Sequence, residues 1–452
     1  MKSFFILVIL LFQSVFVYCA SVTIYNDNFA LIKDTKNFNI KKGQQKIEIN
    51  DVASKIDPTS VLPKFISNSN EIAILEQNYN YDLVNSSKLL EKYIGSDIFI
   101  ERYLPNSNRE KISGTLLYVH GGIIIKTKDD RIVINPQGEI VLPKMQEGLM
   151  LKPTLSWLIY SKVSGEKELE LTYKTTGFSW IADYVAVLDK DDKNIDLTAW
   201  VTINNASGAT YNNAKLKLIS GDVNTIKEEV NNTSERRLML AKNVAVTEDS
   251  ASGFQEKSFF EYHIYELSRT TNLKNNEKKQ IEFVSIKNVP AEKKYVYESS
   301  KNDKVVVKLE FRNNKKSKLG IPLPKGKVRV FKNDGDNLEL VGEDKKNHTA
   351  ENEDVSLMLG NAFDITAQKI RTNSVSNSSS KKSEESFEIT LKNAKLSPVK
   401  VNVIESFYGW SNWKITDSSL EYNKKNSNQI CFVVEIPAKS EKKITYKVKY
   451  SW

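Results

Sequence analysis

Cysteine is nearly absent, with Cys19 and Cys431 the two copies in 452 residues. Cys19 falls in the N-terminal apolar segment, so the remaining thiol cannot make an internal disulfide and stability has to come from packed cores. Cys431 sits in QICFVVEIP, a strand pattern, and reads as a buried, inert thiol. Histidine is as scarce, with His120, His263 and His348 the three copies. That leaves few options for a Ser-His-Asp set, and Gly177-Phe178-Ser179-Trp180-Ile181 lacks the second glycine of a nucleophile elbow. No zinc or EF-hand spacing occurs, so neither a metal nor a cofactor is expected, and no catalytic residue is assigned. After the N-terminus, no apolar run approaches the ~18–20 residues of a transmembrane helix. The net charge is +9, but the lysines are interleaved with Glu and Asp instead of gathered on a basic helix or an RNP-like aromatic strand. Such diffuse charge argues against nucleic acid as a partner.

What is present begins with MKSFFILVILLFQSVFVYCAS, which has a basic Lys2, an apolar run from Phe4 to Phe12, and small residues at Cys19, Ala20 and Ser21. This pattern predicts a secretory signal over residues 1–20 and a mature protein in the periplasm or at the cell surface. Lipoprotein processing at Cys19 is the alternative, disfavoured by Val17 and Tyr18 where that processing prefers small residues.

A chain this long predicts two to four domains. The expected fold is all-β, with several immunoglobulin-like β-sandwich domains, one small SH3-like barrel and little helix. Residues 21–92 read as an N-terminal β-domain closing on the helix SSKLLEKYIG, where Leu89, Leu90, Tyr93 and Ile94 share a face and Gly95 ends it. Residues 93–150 hold about five strand patterns, with Gly121-Gly122 and Asp129-Asp130 at hairpin turns, and predict the closed barrel.

Residues 151–300 form a central β-domain with a mobile insertion near 224–256, including a marginal helix over 235–241. Its signature is alternation. In NIDLTAWVTI, Ile195, Leu197, Ala199, Val201 and Ile203 point one way and Asp196, Thr198, Trp200 and Thr202 the other. Residues 301–452 read as a C-terminal β-sandwich whose last strand carries Ile444, Tyr446, Val448, Tyr450 and Trp452 on one face.

At GFSW, ADY, and DL-x-AWV-x-I-x-N-x-SG-x-x-Y-x-NAKLKL-x-x-GDVN, the chain resembles the exported bacterial family termed domain of unknown function 4139, related to the mucoidy inhibitor A proteins. The resemblance continues through EYHIYEL, LPKGKVRVFKNDG, GEDKKNHTAENEDVSLMLGNAFD and ESFYGWSNWKI. It implies an all-β envelope protein without established catalytic residues. A small barrel stands where the mucoidy inhibitor A proteins carry a long coiled coil, so no residue role carries over.

Candidate binding residues are Trp180, Asp183, Tyr184 and Trp200, which with Tyr211 would form an aromatic platform for sugar or peptide. The competing reading places these rings in the core, with Trp200 set apart by lying on the polar face of its strand. Asp183 with Asp196, or Glu343 with Asp344, are possible glycosidase carboxylate pairs. Glu343, Asp344, His348 and Glu351 are the conceivable ligand set in the turn-rich GEDKKNHTAENE, against a solvated loop. The expectation is an exported non-enzymatic envelope protein that binds other proteins or organises the cell surface. The alternatives are a glycan- or polyanion-binding β-module and a carboxylate-dependent glycan hydrolase. Envelope proteins and surface glycans are the expected partners.

Overall fold

The computed structural model describes residues 19–67, 69–80, 86–103, 109–144, 152–221, 223, 253–301, 303–377, 379, 381–407 and 412–451. The expected signal segment up to residue 18, most of the 224–256 insertion with its 235–241 helix, residues 408–411 of ESFYGWSNWKI, and Trp452 lie outside that set. The fold is all-β, with 67% strand and 3% helix among the described residues. Tertiary contacts divide the chain into two units: residues 1–179, 204–218 and 269–277, and residues 180–203, 219–268 and 278–452.

In the first unit the period-2 alternation translates directly into a two-sided sheet. Leu169, Leu171 and Tyr173 of the strand Gly165–Thr176 are buried, while the residues between them are partly exposed. That strand lies between Phe29–Ile40 and Leu62–Phe65, with Ser21–Tyr25 beyond Phe29–Ile40. Thr154–Ser161 pairs Gly43–Asn50 on one side and Ile72–Asn80 on the other, and buries Trp157, whose Nε1 donates to Gln77 Oε1 at 2.7 Å.

The stretch expected to be a barrel forms a sheet in the order Glu139–Val141, Asp97–Tyr103, Arg109–Tyr118, Ile124–Thr127, Ile132–Ile134. It encloses its own core of Tyr93, Ile98, Ile100, Leu116 and Ile125. The preceding helix, Ser86–Lys92, sends Leu90 to this core, and Tyr93 just beyond it is fully buried. Ile94, expected on the same face, is instead exposed, because the helix ends before it and Gly95 turns the chain at φ +80°.

Gly177 makes the corner between the strands Gly165–Thr176 and Phe178–Leu188. Its φ is +87°, its carbonyl accepts the Ala206 N–H at 2.8 Å, and a Cβ there would lie 2.5 Å from the Ala206 carbonyl oxygen. Left-handed backbone and a clash with backbone atoms both penalise a side chain. Gly177→Ala is therefore expected to cost about 2–4 kcal/mol in urea unfolding. A midpoint within error of wild type would show that the corner relaxes.

Two sheets carry most of the strands described for the second unit, and Val306–Arg312 and Asp354–Asn361 attach to the first of them beside Glu277–Tyr297. One runs Leu338–Lys346, Gly326–Asn333, Phe178–Leu188, Asn194–Asn205, Glu277–Tyr297, Val399–Ser406, Gln429–Ile436, Tyr422–Asn426, with parallel pairing between Phe178–Leu188 and Gly326–Asn333 and between Glu277–Tyr297 and Val399–Ser406. The other runs Ile365–Asn377, Lys382–Asn393, Ser440–Ser451, Asn412–Ser418. Their facing residues share one core: Val401, Val403, Phe432 and Val434 from the first, Ile389, Leu391, Ile444, Tyr446, Val448 and Tyr450 from the second. Cys431 is buried beside this core, and burial pushes its thiol up.

At the turn between Phe178–Leu188 and Asn194–Asn205, the Asp192 carboxylate is held between the ammonium groups of Lys293 and Lys332. Burial opposes its ionisation, but hydrogen bonds from the two lysines outweigh it and set the pKa below the usual carboxylate value.

Two local expectations are corrected. GEDKKNHTAENE is not a loop throughout, because Leu338–Lys346 is a strand paired with Gly326–Asn333, with Glu343 bridging Lys327 at 3.2 Å and Arg329 at 2.9 Å. At the end of the insertion expected near 224–256, Phe254–Phe259 and Tyr262–Leu267 form a hairpin turning at Phe260, φ +56°. That hairpin starts inside the expected insertion, because Phe254 is buried against Phe283.

Candidate functional site

The strand Phe178–Leu188 alternates strictly, and this decides what GFSW does. Trp180 and Tyr184 point inward and are buried. Trp180 Nε1 donates to the Ile219 carbonyl at 3.2 Å and Tyr184 Oη to the Pro324 carbonyl at 2.7 Å. Burial pushes the Tyr184 hydroxyl well above its ordinary value. Tyr211, also buried, shares a 3.2 Å hydrogen bond with Tyr173, and burial raises its pKa to about 12.

Asp183 and Trp200 occupy the opposite, outward face. Thr202 Oγ1 donates to Asp183 Oδ2 at 2.7 Å and receives Gln280 Nε2 at 3.1 Å, a polar chain across three adjacent strands. Trp200, two residues before Thr202 on the same face, is 37% exposed. The structure thus brings Asp183 and Trp200 onto one face and separates them from Trp180 and Tyr184.

The carboxylate pairs are likewise dispersed. Asp196 Oδ1 accepts the Asn288 N–H at 2.9 Å, fastening a different strand from the one Asp183 serves. Glu343 and Asp344 are consecutive on a strand and project to opposite faces, so both cannot flank one glycosidic bond. Asp344 Oδ2 accepts the Met358 N–H at 2.7 Å. Among the described residues no three His, Cys, Asp or Glu side chains form a group that could hold a metal ion.

Sequence reasoning missed two buried polar centres. Around Trp180 and Tyr184, segments distant in sequence converge. Tyr265 Oη donates to the Pro322 carbonyl at 3.0 Å, and its ring meets Trp180 edge-on. His348 Nδ1 accepts the Lys325 N–H at 3.2 Å and lies 2.9 Å from the Ser220 hydroxyl. Ser220 is buried, which shields its oxygen from an incoming carbonyl and leaves the pair as a lock between strand and loop.

Beside Tyr184 lies Lys346, 6% exposed. Its Nζ meets the carbonyls of Leu323 at 3.0 Å and Asn347 at 2.8 Å and the Thr349 hydroxyl at 3.1 Å, and sits 5.3 Å from the Tyr184 ring centre. Burial pulls the ammonium down to about 7.

The second centre is Glu405, 1% exposed, between the two sheets of the second unit. Its carboxylate pairs with the Lys369 ammonium and accepts Tyr446 Oη at 2.7 Å and Ser299 Oγ at 3.4 Å. The Lys369 ammonium also lies 4.3 Å from the Phe387 ring centre. Burial, then the Glu405 charge, push the Tyr446 hydroxyl far above its ordinary value. This cluster floors an open cleft of about 810 Å³. Glu405 was legible in principle: in VKVNVIES it is in phase with the core residues Val401 and Val403, so strand period alone turns it inward.

Fold and site together define an all-β protein in which the signature aromatics Trp180, Tyr184 and Tyr211 are spent on its own core, while Trp200 faces outward. A family model described as a domain of unknown function (DUF4139) matches residues 169–452, and the chain belongs to that family. No curated protein matches the chain.

Proposed function

We propose that this chain is an exported, non-enzymatic envelope protein that binds other proteins or organises the cell surface. The observation that carries this reading is the use of the signature side chains: Trp180, Tyr184 and Tyr265 each give their polar hydrogen to a backbone carbonyl of their own unit. The residue types that would do carboxylate or serine chemistry are fastened separately to different strands. The reading takes residues 1–20 as a cleaved signal, followed by β-modules over 21–92, 93–150, 151–300 and 301–452. The second of these is an SH3-like barrel and the last an immunoglobulin-like sandwich.

Support for a role in contact-making comes from the strand Leu338–Lys346, which ends its sheet among the described residues. It exposes Leu338 and Leu340 at 54% and 56%, apolar side chains on a sheet edge of the kind that partners pair with. Cross-linking in intact cells, followed by mass spectrometry, is expected to join lysines near this edge, Lys332 and Lys345, to a reproducible envelope partner. Absence of any partner at native abundance, or recovery of the chain in the cytoplasmic fraction, would overturn the proposal.

A further inference from the structure

We infer that the open cleft floored by Glu405 is a saccharide-binding site. Its two walls come from different sheets: Tyr297, Ser299, Ser300 and Asp303 on one side, Ala367, Lys369 and Arg371 of the strand Ile365–Asn377 with Phe387 on the other. The volume of about 810 Å³ lies in the range of ligand sites.

The chemistry of the walls selects the ligand. Lys369 is neutralised by Glu405, and Arg371 by Glu385 at 2.9 Å. A site whose cations are already paired gives little to a small free anion, which has to repay its own desolvation. An apolar ligand fares worse, since it would cover the Asp303 carboxylate and the Ser299 and Ser300 hydroxyls without returning a hydrogen bond.

A ligand rich in hydroxyls returns both donors and acceptors to this mixed set. The ion pairs hold Lys369 and Arg371 in place before a ligand arrives, which lowers the ordering cost of binding. Export is not required for such a ligand to bind, and neither is a protein partner.

The test is calorimetric titration of the full chain with chitotetraose, maltotetraose, an oligogalacturonate and, as a control, an extended alanine-rich peptide. At least one saccharide is expected to bind saturably. Asp303→Ala and Arg371→Ala, both changes of exposed side chains, are each expected to weaken it about 5–10-fold, roughly 1–1.4 kcal/mol, with the melting temperature unchanged. Binding by no saccharide, binding by the peptide alone, or saccharide binding that both variants leave intact would each overturn the assignment.

Discussion

Lys369→Met is expected to destabilise the chain by about 3–5 kcal/mol at pH 7, because it removes one partner of a buried ion pair and leaves the other charged in the core. Glu405 is 1% exposed, and without Lys369 its carboxylate retains only the hydroxyls of Tyr446 and Ser299. Two hydroxyl donors do not replace a counter-charge. Glu405→Gln is expected to cost less, since a carboxamide oxygen still accepts from Tyr446 and carries no charge to solvate. The double change Lys369→Met with Glu405→Gln should then recover a large part of the Lys369→Met loss, a coupling that urea unfolding of the four proteins measures as a double-mutant cycle. A loss below about 1 kcal/mol for Lys369→Met would mean that water reaches the carboxylate and that the pair is a surface one in effect.

The second large effect is a dependence of stability on pH that one lysine imposes. The folded-state pKa of Lys346 is about 7, against an ordinary lysine value of 10.5. Between those values the folded chain holds a neutral amine while the unfolded chain binds the proton. Stability therefore rises with pH across this window, and below pH 7 the full cost of burying the ammonium is present. Over the window the gain is about 3–5 kcal/mol.

Above about pH 10 a second process reverses the trend. Tyr184 and Tyr265 are kept protonated by burial, whereas their unfolded counterparts ionise near the ordinary value of 10.0. The useful comparison is thus pH 6.5 to 9.5. Wild type should gain stability across it, and Lys346→Met should lose that gain. Methionine strands no acceptor completely, since the Leu323 carbonyl keeps the Thr349 N–H at 3.0 Å and the Asn347 carbonyl keeps the Thr349 hydroxyl at 3.2 Å. Parallel pH profiles for the two proteins would sink the assignment.

Both centres show where reading a sequence stops short. The alternation in NIDLTAWVTI placed Ile195 to Ile203 inside and Trp200 outside, and the structure agrees residue by residue, because strand geometry leaves no other option once the period is recognised. The same rule would have turned Glu405 inward behind Val401 and Val403, but an acid at the end of a hydrophobic phase reads as the end of a strand. Lys346 had no such signal. Its inward phase becomes visible only when residues 338–346 are known to be a strand, and their Gly, Asp and Lys content suggests a loop.

The anchoring stretch Tyr173 to Val223 follows the same division. Period-2 patterning and Gly177 determined by themselves that this is an all-β protein, that Trp200 lies on the polar face of its strand, and that a tight corner separates two strands. Those properties are local, set by backbone sterics and side-chain direction over a few residues. Tertiary structure alone decided that Ser220 meets His348, that Lys346 settles beside Tyr184, and that Lys369 meets Glu405 in a cleft between sheets. Each of those contacts joins segments far apart in sequence, brought together by the burial of whole sheets, and no short pattern encodes it.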